Sequence, residues 1–257
     1  MKAFIRRSAV CLALANMLLI AAVAQQAPPL NPPAPQLSQP ADSDKNLQDP
    51  KTTEKNQAAP QGTSNDRLFY TLPNFLTLEN TGQVPPLTAA QKFKVVTRGS
   101  FDYILLPWYS FLAGISQAEN SEPGYGQGAE GYGKRLGAAF ADGTIENYMT
   151  GAILPSLLHQ DPRFFQESQG TFWHRSKYAV SRIFVTRTDS ATQQFNYSEI
   201  FGSAMSAAIS TYSYHPRADR TLSNTASVWG SEVGYDTITI VVKEFWPDIR
   251  RKLQKKK

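Results

Sequence analysis

The stretch Gly124–Phe165, GYGQGAEGYGKRLGAAFADGTIENYMTGAILPSLLHQDPRFF, constrains the fold more than any other. From Ala129 to Leu158 its only proline is Pro155, and the apolar residues Leu136, Phe140, Ile145, Met149, Ile153 and Leu157 recur every three to five positions. That spacing is helical. Straight, such a helix would be about 45 Å long. Gly133, Gly137 and Ala141 fall four apart and form a smooth stripe, which suits close approach of a second helix. A glycine inside a helix costs about 1 kcal/mol against alanine, so tertiary packing must hold this segment. Pro155 clashes with the carbonyl of Gly151 and predicts a kink there.

Weaker helical signals flank this segment. Thr88-Ala-Ala-Gln91 is a capping box and starts a helix that runs to about Arg98. Further helices are expected over 100–119, 172–186, 197–211 and 222–245, the last capped by Asp219. The longest apolar run, Tyr103–Ile115, is 13 residues with Pro107 inside it, short of the ~20 that span a bilayer. The fold class expected is all-α: a compact multi-helix bundle with small-residue helix contacts. It occupies residues 66–257 and ends in a basic tail.

The first 65 residues have a different character. Lys2, Arg6 and Arg7 precede an apolar stretch from Ala9 to Ala22, and Ala22-Val23-Ala24 fits the small-x-small cleavage rule. Residues 1–24 therefore read as a signal peptide. The single cysteine, Cys11, lies within it, so the exported chain is expected to carry no disulfide and no cysteine ligand. Residues 25–65 contain eight prolines among polar residues and no aromatic residue, the composition of a disordered Pro-rich linker.

Chemistry-bearing residues cluster around the long helix. In His159-Gln-Asp161-Pro-Arg163, Asp161 could orient His159 as a base, but Asp161-Pro162 also has the form of a helix N-cap followed by a first residue. Asp142 with Glu146, and Glu232 with Asp236, are i,i+4 carboxylate pairs, each on one helix face. Facing helices with such pairs can hold two metals, yet the Glu-x-x-His element of those sites is missing, so no metal is assigned. Gly126–Gly131 matches G-x-G-x-x-G without the preceding strand that nucleotide binding needs, so no nucleotide is expected. No cofactor is indicated.

The formal charge of +5 is concentrated in the tail. Residues 243–257 hold seven cations against Glu244 and Asp248. Trp246, Arg250, Arg251 and Lys252 form a candidate membrane-surface patch on a short helix begun by Pro247, suited to anionic lipid.

HQDPRFF, RIFVTRTDS and KEFWPDIRR resemble segments of an uncharacterised family of exported, mostly helical bacterial proteins. The resemblance covers much of residues 66–254 and implies export without implying an activity. Taken together, these features point to an exported periplasmic or cell-envelope protein, peripheral to a membrane. The function they favour is a non-enzymatic module that binds a membrane surface or another envelope protein, with no nucleic acid partner. The competing expectation is a hydrolase or metal-dependent enzyme using His159, Asp161 and the Asp142/Glu146 face.

Overall fold

A computed structural model describes residues 62–79 and 84–255. The signal-peptide expectation and nearly all of the linker lie outside the described residues.

The described chain is mostly helical. Its helices are α1 (Ala89–Ser100), α2 (Leu105–Glu119), α3 (Gly128–Tyr148), the four-residue α4 (Leu154–Leu157), α5 (Phe172–Phe184), α6 (Tyr197–Ser213) and α7 (Leu222–Gln254). The capping box at the start of α1 is present, with Thr88 and Gln91 bonding each other's backbone. Thr171, Asn196 and Thr221 cap α5, α6 and α7 in the same local way. Asp219 sits in a 3-10 turn and is not the cap of α7. The kink expected at Pro155 is a π-turn, Met149–Ile153, between α3 and α4. There the Leu154 N–H reaches back to the Met149 carbonyl, so the wider turn accommodates the proline ring.

The all-α expectation holds as a mostly helical chain, to which the described residues add seven short strands. β1 (Arg67–Leu68) pairs antiparallel with β2 (Leu72–Pro73), and β3 (Thr77–Leu78) pairs parallel with β5 (Phe164–Phe165). β4 (Gln160–Asp161), β6 (Val185–Thr188) and β7 (Gln193–Phe195) form a three-stranded antiparallel sheet. Asp161 therefore opens no helix. The Pro-interrupted, aromatic segments around 67–78 and 160–165 carry no helical period, and pairing across the sequence decides their conformation.

A small apolar core gathers Phe75, Leu87, Val95, Val96 and Ala152, with Leu76 and Tyr148 packed against it. Much of the remaining interior is polar. The fully buried Glu244 carboxylate accepts hydrogen bonds from the backbone of Glu167 and Ser168 and from Arg175 Nε at 2.8 Å. Arg175 also pairs with Asp248 at 2.6 Å. This meets the rule that buried charge must be paired and hydrogen-bonded. The same network explains why α7 runs through Pro247. The proline cannot bond the Lys243 carbonyl, and the buried Gln166 side-chain amide donates to that carbonyl instead.

The small-residue contacts fall in a different phase from the expected stripe. Nothing lies within 4 Å of a Cβ built on Gly133 or Gly137, and Gly137, Ala138 and Ala141 line an open groove beside Tyr125 and Tyr214. Close approaches between helices include Gly143, where a Cβ would fall on the Tyr109 hydroxyl, and Gly202, where it would lie 3.2 Å from the Met149 carbonyl carbon. Gly143→Ala is therefore expected to lower stability by about 1–3 kcal/mol through overpacking, whereas Gly137→Ala should be neutral or raise it by up to about 1 kcal/mol. Paired thermal melts check this, and equal effects at the two positions would contradict the packing.

Candidate functional site

Helix α6 presents two faces of opposite character. Ser203, Ser206 and Ser210 are wholly buried, with Glu199 on the same side one turn before Ser203. Tyr197, Phe201, Met205, Ile209 and Tyr212 are exposed. Two of the three buried hydroxyls have partners, whereas Ser206 Oγ is buried with none. Ser210 donates to Asp142 on α3, and Ser203 accepts from Trp229 Nε1 on α7 at 3.1 Å.

Five carboxyl groups from three helices meet along this seam: Asp142 and Glu146 from α3, Glu199 from α6, and Glu232 and Asp236 from α7. Asp236 is hydrogen-bonded to both Glu146 and Glu199. Two carboxylates cannot hydrogen-bond without a shared proton, and burial raises the pKa of all three. Glu146 Oε1, Glu199 Oε1 and Glu232 Oε2 are buried with no hydrogen-bond partner in the structure. Burial first, then the neighbouring negative charges, push Glu146 up to about 10 and Glu232 to about 8. The same causes hold Glu199 well above the carboxylate range. Lys243, two turns along α7 from Asp236, faces Asp236 and Glu199, and burial lowers its pKa below the usual lysine value. Among the described residues no group of three or more His, Cys, Asp or Glu side chains is arranged to hold a metal ion.

Asp142, at the other end of the seam, serves a histidine that the sequence reading passed over. His215 is buried, with Nδ1 2.9 Å from Glu122 and Nε2 3.4 Å from Asp142. Burial alone would lower its pKa, but the two carboxylates outweigh it and hold the imidazolium up to about 10. Tyr214 also donates to Asp142. With both ring nitrogens against carboxylates, His215 is a charged strut and is not available as a base. A lone His in a His-Pro loop carries no spacing signal, and its partner Glu122 comes from a different turn.

The residues singled out from sequence do not converge. His159 occupies a left-handed turn at φ 53°, and its side chain is 83% exposed, 4.0 Å from Asp189. Asp161 is buried and held by Arg163 through Nε at 2.8 Å and Nη2 at 2.6 Å. Arg163 bonds the Gly62 and Pro85 carbonyls as well, so the pair ties the incoming chain to the sheet. Glu146 lies in the carboxyl cluster. The arrangement of His159, Asp161 and Glu146 as a catalytic set is not present, because the strand pairing of β4 turns Asp161 toward Arg163.

The tail patch is altered in the same way. Trp246 is fully buried, with the Phe69 and Tyr70 rings at 5.1 and 5.6 Å. Arg250 pairs with Asp66 at 3.0 Å and Glu79 at 2.6 Å, Arg251 pairs with Asp248 at 2.5 Å, and Lys252 also has a partner. A buried tryptophan supplies no lipid anchor. Among the described residues no helix is long and apolar enough to cross a membrane.

Beside the carboxyl cluster lies a cavity of about 130 Å³ between α5, α6, α7 and the β4–β6 sheet. Glu199, Asp236 and Lys243 line it, as do Arg182, Arg187 and Tyr178. Comparison with known proteins finds no matching family model, no matching curated protein and no matching solved structure.

The raised carboxyl pKa values set a direction for pH dependence. A carboxyl that titrates higher when folded keeps a proton that the unfolded chain, near 4.5, releases. Its stabilisation is complete below about pH 4.5 and is lost as pH rises through 8 for Glu232 and 10 for Glu146. His215 has the same sign, with stabilisation complete below about 6.5 and lost through about 10. The thermal midpoint is therefore expected to fall between pH 6 and pH 9. Glu232→Gln, a neutral isostere, should remove about 2 kcal/mol of that fall, a shift of several degrees. Parallel pH profiles for the two proteins would contradict it.

Proposed function

We propose that this is an exported, non-enzymatic envelope protein whose helical domain seats on a lipid membrane through the apolar outer faces of α2 and α6. The observation that carries the reading is the inversion of α6. Its serine and glutamate face is buried, while Phe201, Met205 and Ile209 remain 53%, 46% and 40% exposed, with Tyr197 and Tyr212 at the two ends. Trp108, Phe111 and Ile115 form a second exposed line on α2, and Trp173, Val180 and Phe184 a third on α5. Single exposed apolar side chains are ordinary, but contiguous lines on several helices are not.

Lipid suits these faces better than a single protein partner. Aromatic residues at the ends of an apolar stripe match the polarity gradient of a membrane interface. Export is supported by the n-region, the apolar stretch and the Ala-Val-Ala site, and by the resemblance to exported bacterial proteins. The paired state of Arg250 and Arg251 moves the contact from the basic tail, where the sequence places it, to the helix faces.

An apolar contact of this kind differs from a charge-driven one in its salt response. The mature protein is expected to co-float with phosphatidylcholine vesicles, with little change on raising salt from about 50 to about 500 mM. Met205→Glu or Phe201→Glu should weaken partition about ten-fold without lowering the thermal midpoint. Absence of vesicle binding, binding abolished by salt, or variants that bind as well as the native chain would overturn the proposal.

A further inference from the structure

The cavity beside the carboxyl cluster contains a surplus of positive charge that the fold itself does not use. Arg163 on its rim is matched by Asp161 at 2.6 Å. Lys243 faces the Asp236 and Glu199 carboxyl groups. Arg182 and Arg187 remain. Among the described residues neither guanidinium has a carboxylate within ion-pair distance.

Both guanidiniums are held in place by aromatic rings. Arg182 lies 4.9 Å over the Tyr178 ring and Arg187 lies 4.3 Å over the Phe165 ring. Those two residues are tied together by the Tyr178 hydroxyl, which donates to the Phe165 carbonyl at 2.6 Å. Both cations act on the same phenol, opposing the upward push of burial on its pKa. Stacked guanidiniums keep their N–H edges free for planar, bidentate contacts.

A third feature points into the same space. Ser198 lines the cavity, is 3% exposed, and its Oγ is buried with no hydrogen-bond partner. It stands in the first turn of α6, whose N-terminal end also contributes Asn196 and Glu199 to the lining. The positive end of a 17-residue helix favours an anion there. At roughly 10–15 Å³ for each water-sized site, the cavity has room for a phosphate group and a few attached atoms.

We infer that this cavity is a binding site for a phosphate monoester group, held by Arg182, Arg187 and the Ser198 hydroxyl. Two uncompensated cations match the charge of a phosphate dianion, and a buried, unmatched hydroxyl supplies the third donor. A carboxylate would leave one cation unbalanced. The phosphate could reach the site as inorganic phosphate or a soluble ester, or as the headgroup of a lipid such as phosphatidic acid.

The test uses the full mature chain at constant ionic strength. Inorganic phosphate is expected to raise the thermal midpoint saturably relative to chloride, with acetate at least about ten-fold weaker. Arg182→Gln/Arg187→Gln should keep the wild-type midpoint in chloride and lose about ten-fold or more in phosphate affinity. If the double variant does not fold, Arg187→Lys is read instead and should lose several-fold. Equal competition by glycerol 3-phosphate identifies a free phosphate or soluble ester. Binding to phosphatidic-acid vesicles above phosphatidylcholine vesicles, removed by the same variants, identifies a lipid headgroup. No midpoint shift beyond chloride, an equal response to acetate, or full phosphate affinity in the folded arginine variants would overturn the assignment.

Discussion

The burial of the Ser203–Ser206–Ser210 face of α6 against α3 and α7 is the constraint on which the rest of the structure depends. A helix can bury one face, and here the buried face is hydroxyls and a carboxyl. Small side chains let the backbones come close, and Gly202 allows α6 to lie against the π-turn at Met149 and Thr150. The consequence is forced: the large apolar side chains of α6 face outward. The same choice draws Asp142, Glu146, Glu232 and Asp236 into the interior, where they have each other, shared protons and Lys243 for company. An interior of this kind is polar and only partly satisfied, since Glu146, Glu199 and Glu232 each keep a buried oxygen without a partner.

The second fixed point is the Glu244 carboxylate. Two backbone N–H groups and Arg175 converge on it, and Gln166 caps the carbonyl that Pro247 leaves free. These contacts join the loop after β5, α5 and the end of α7. They seat Trp246 under Phe69 and Tyr70 and let α7 continue to Gln254. The paired Arg250, Asp66 and Glu79 then tie the start of the domain to its end. What reads as a detachable basic tail is part of the folded frame.

How far each feature was legible follows from whether its cause is local. The helices were legible because period and capping are local, and the Thr88–Gln91 box is formed as written. The phase of the glycine stripe was not, since only the position of Tyr109 on another helix makes Gly143 the close contact and leaves Gly137 open. The i,i+4 acids were legible as faces, but Asp142 and Glu146 split between two ends of the seam, and Glu199, a single acid in a serine-rich helix, gave no pairing signal. Asp161 looked like a cap or an orienter of His159 because its strand partner lies at Arg187, 26 residues on. Trp246-Pro247 looked like a break because the rescue comes from Gln166. Arg182 and Arg187 are ordinary cations in sequence. Their lack of acids becomes visible only once β6 is folded beside α5.

The inverted α6 and the charge-filled interior form one account: polar groups face one another inside, and in the proposal the outer apolar lines face lipid. A spin label at position 205 tests this most directly, through its collisions with molecular oxygen and with a water-soluble nickel complex as vesicles are added. The account predicts that oxygen collisions rise and nickel collisions fall when the protein meets the bilayer. Nickel accessibility at position 205 that stays at its solution level in the presence of vesicles would contradict it.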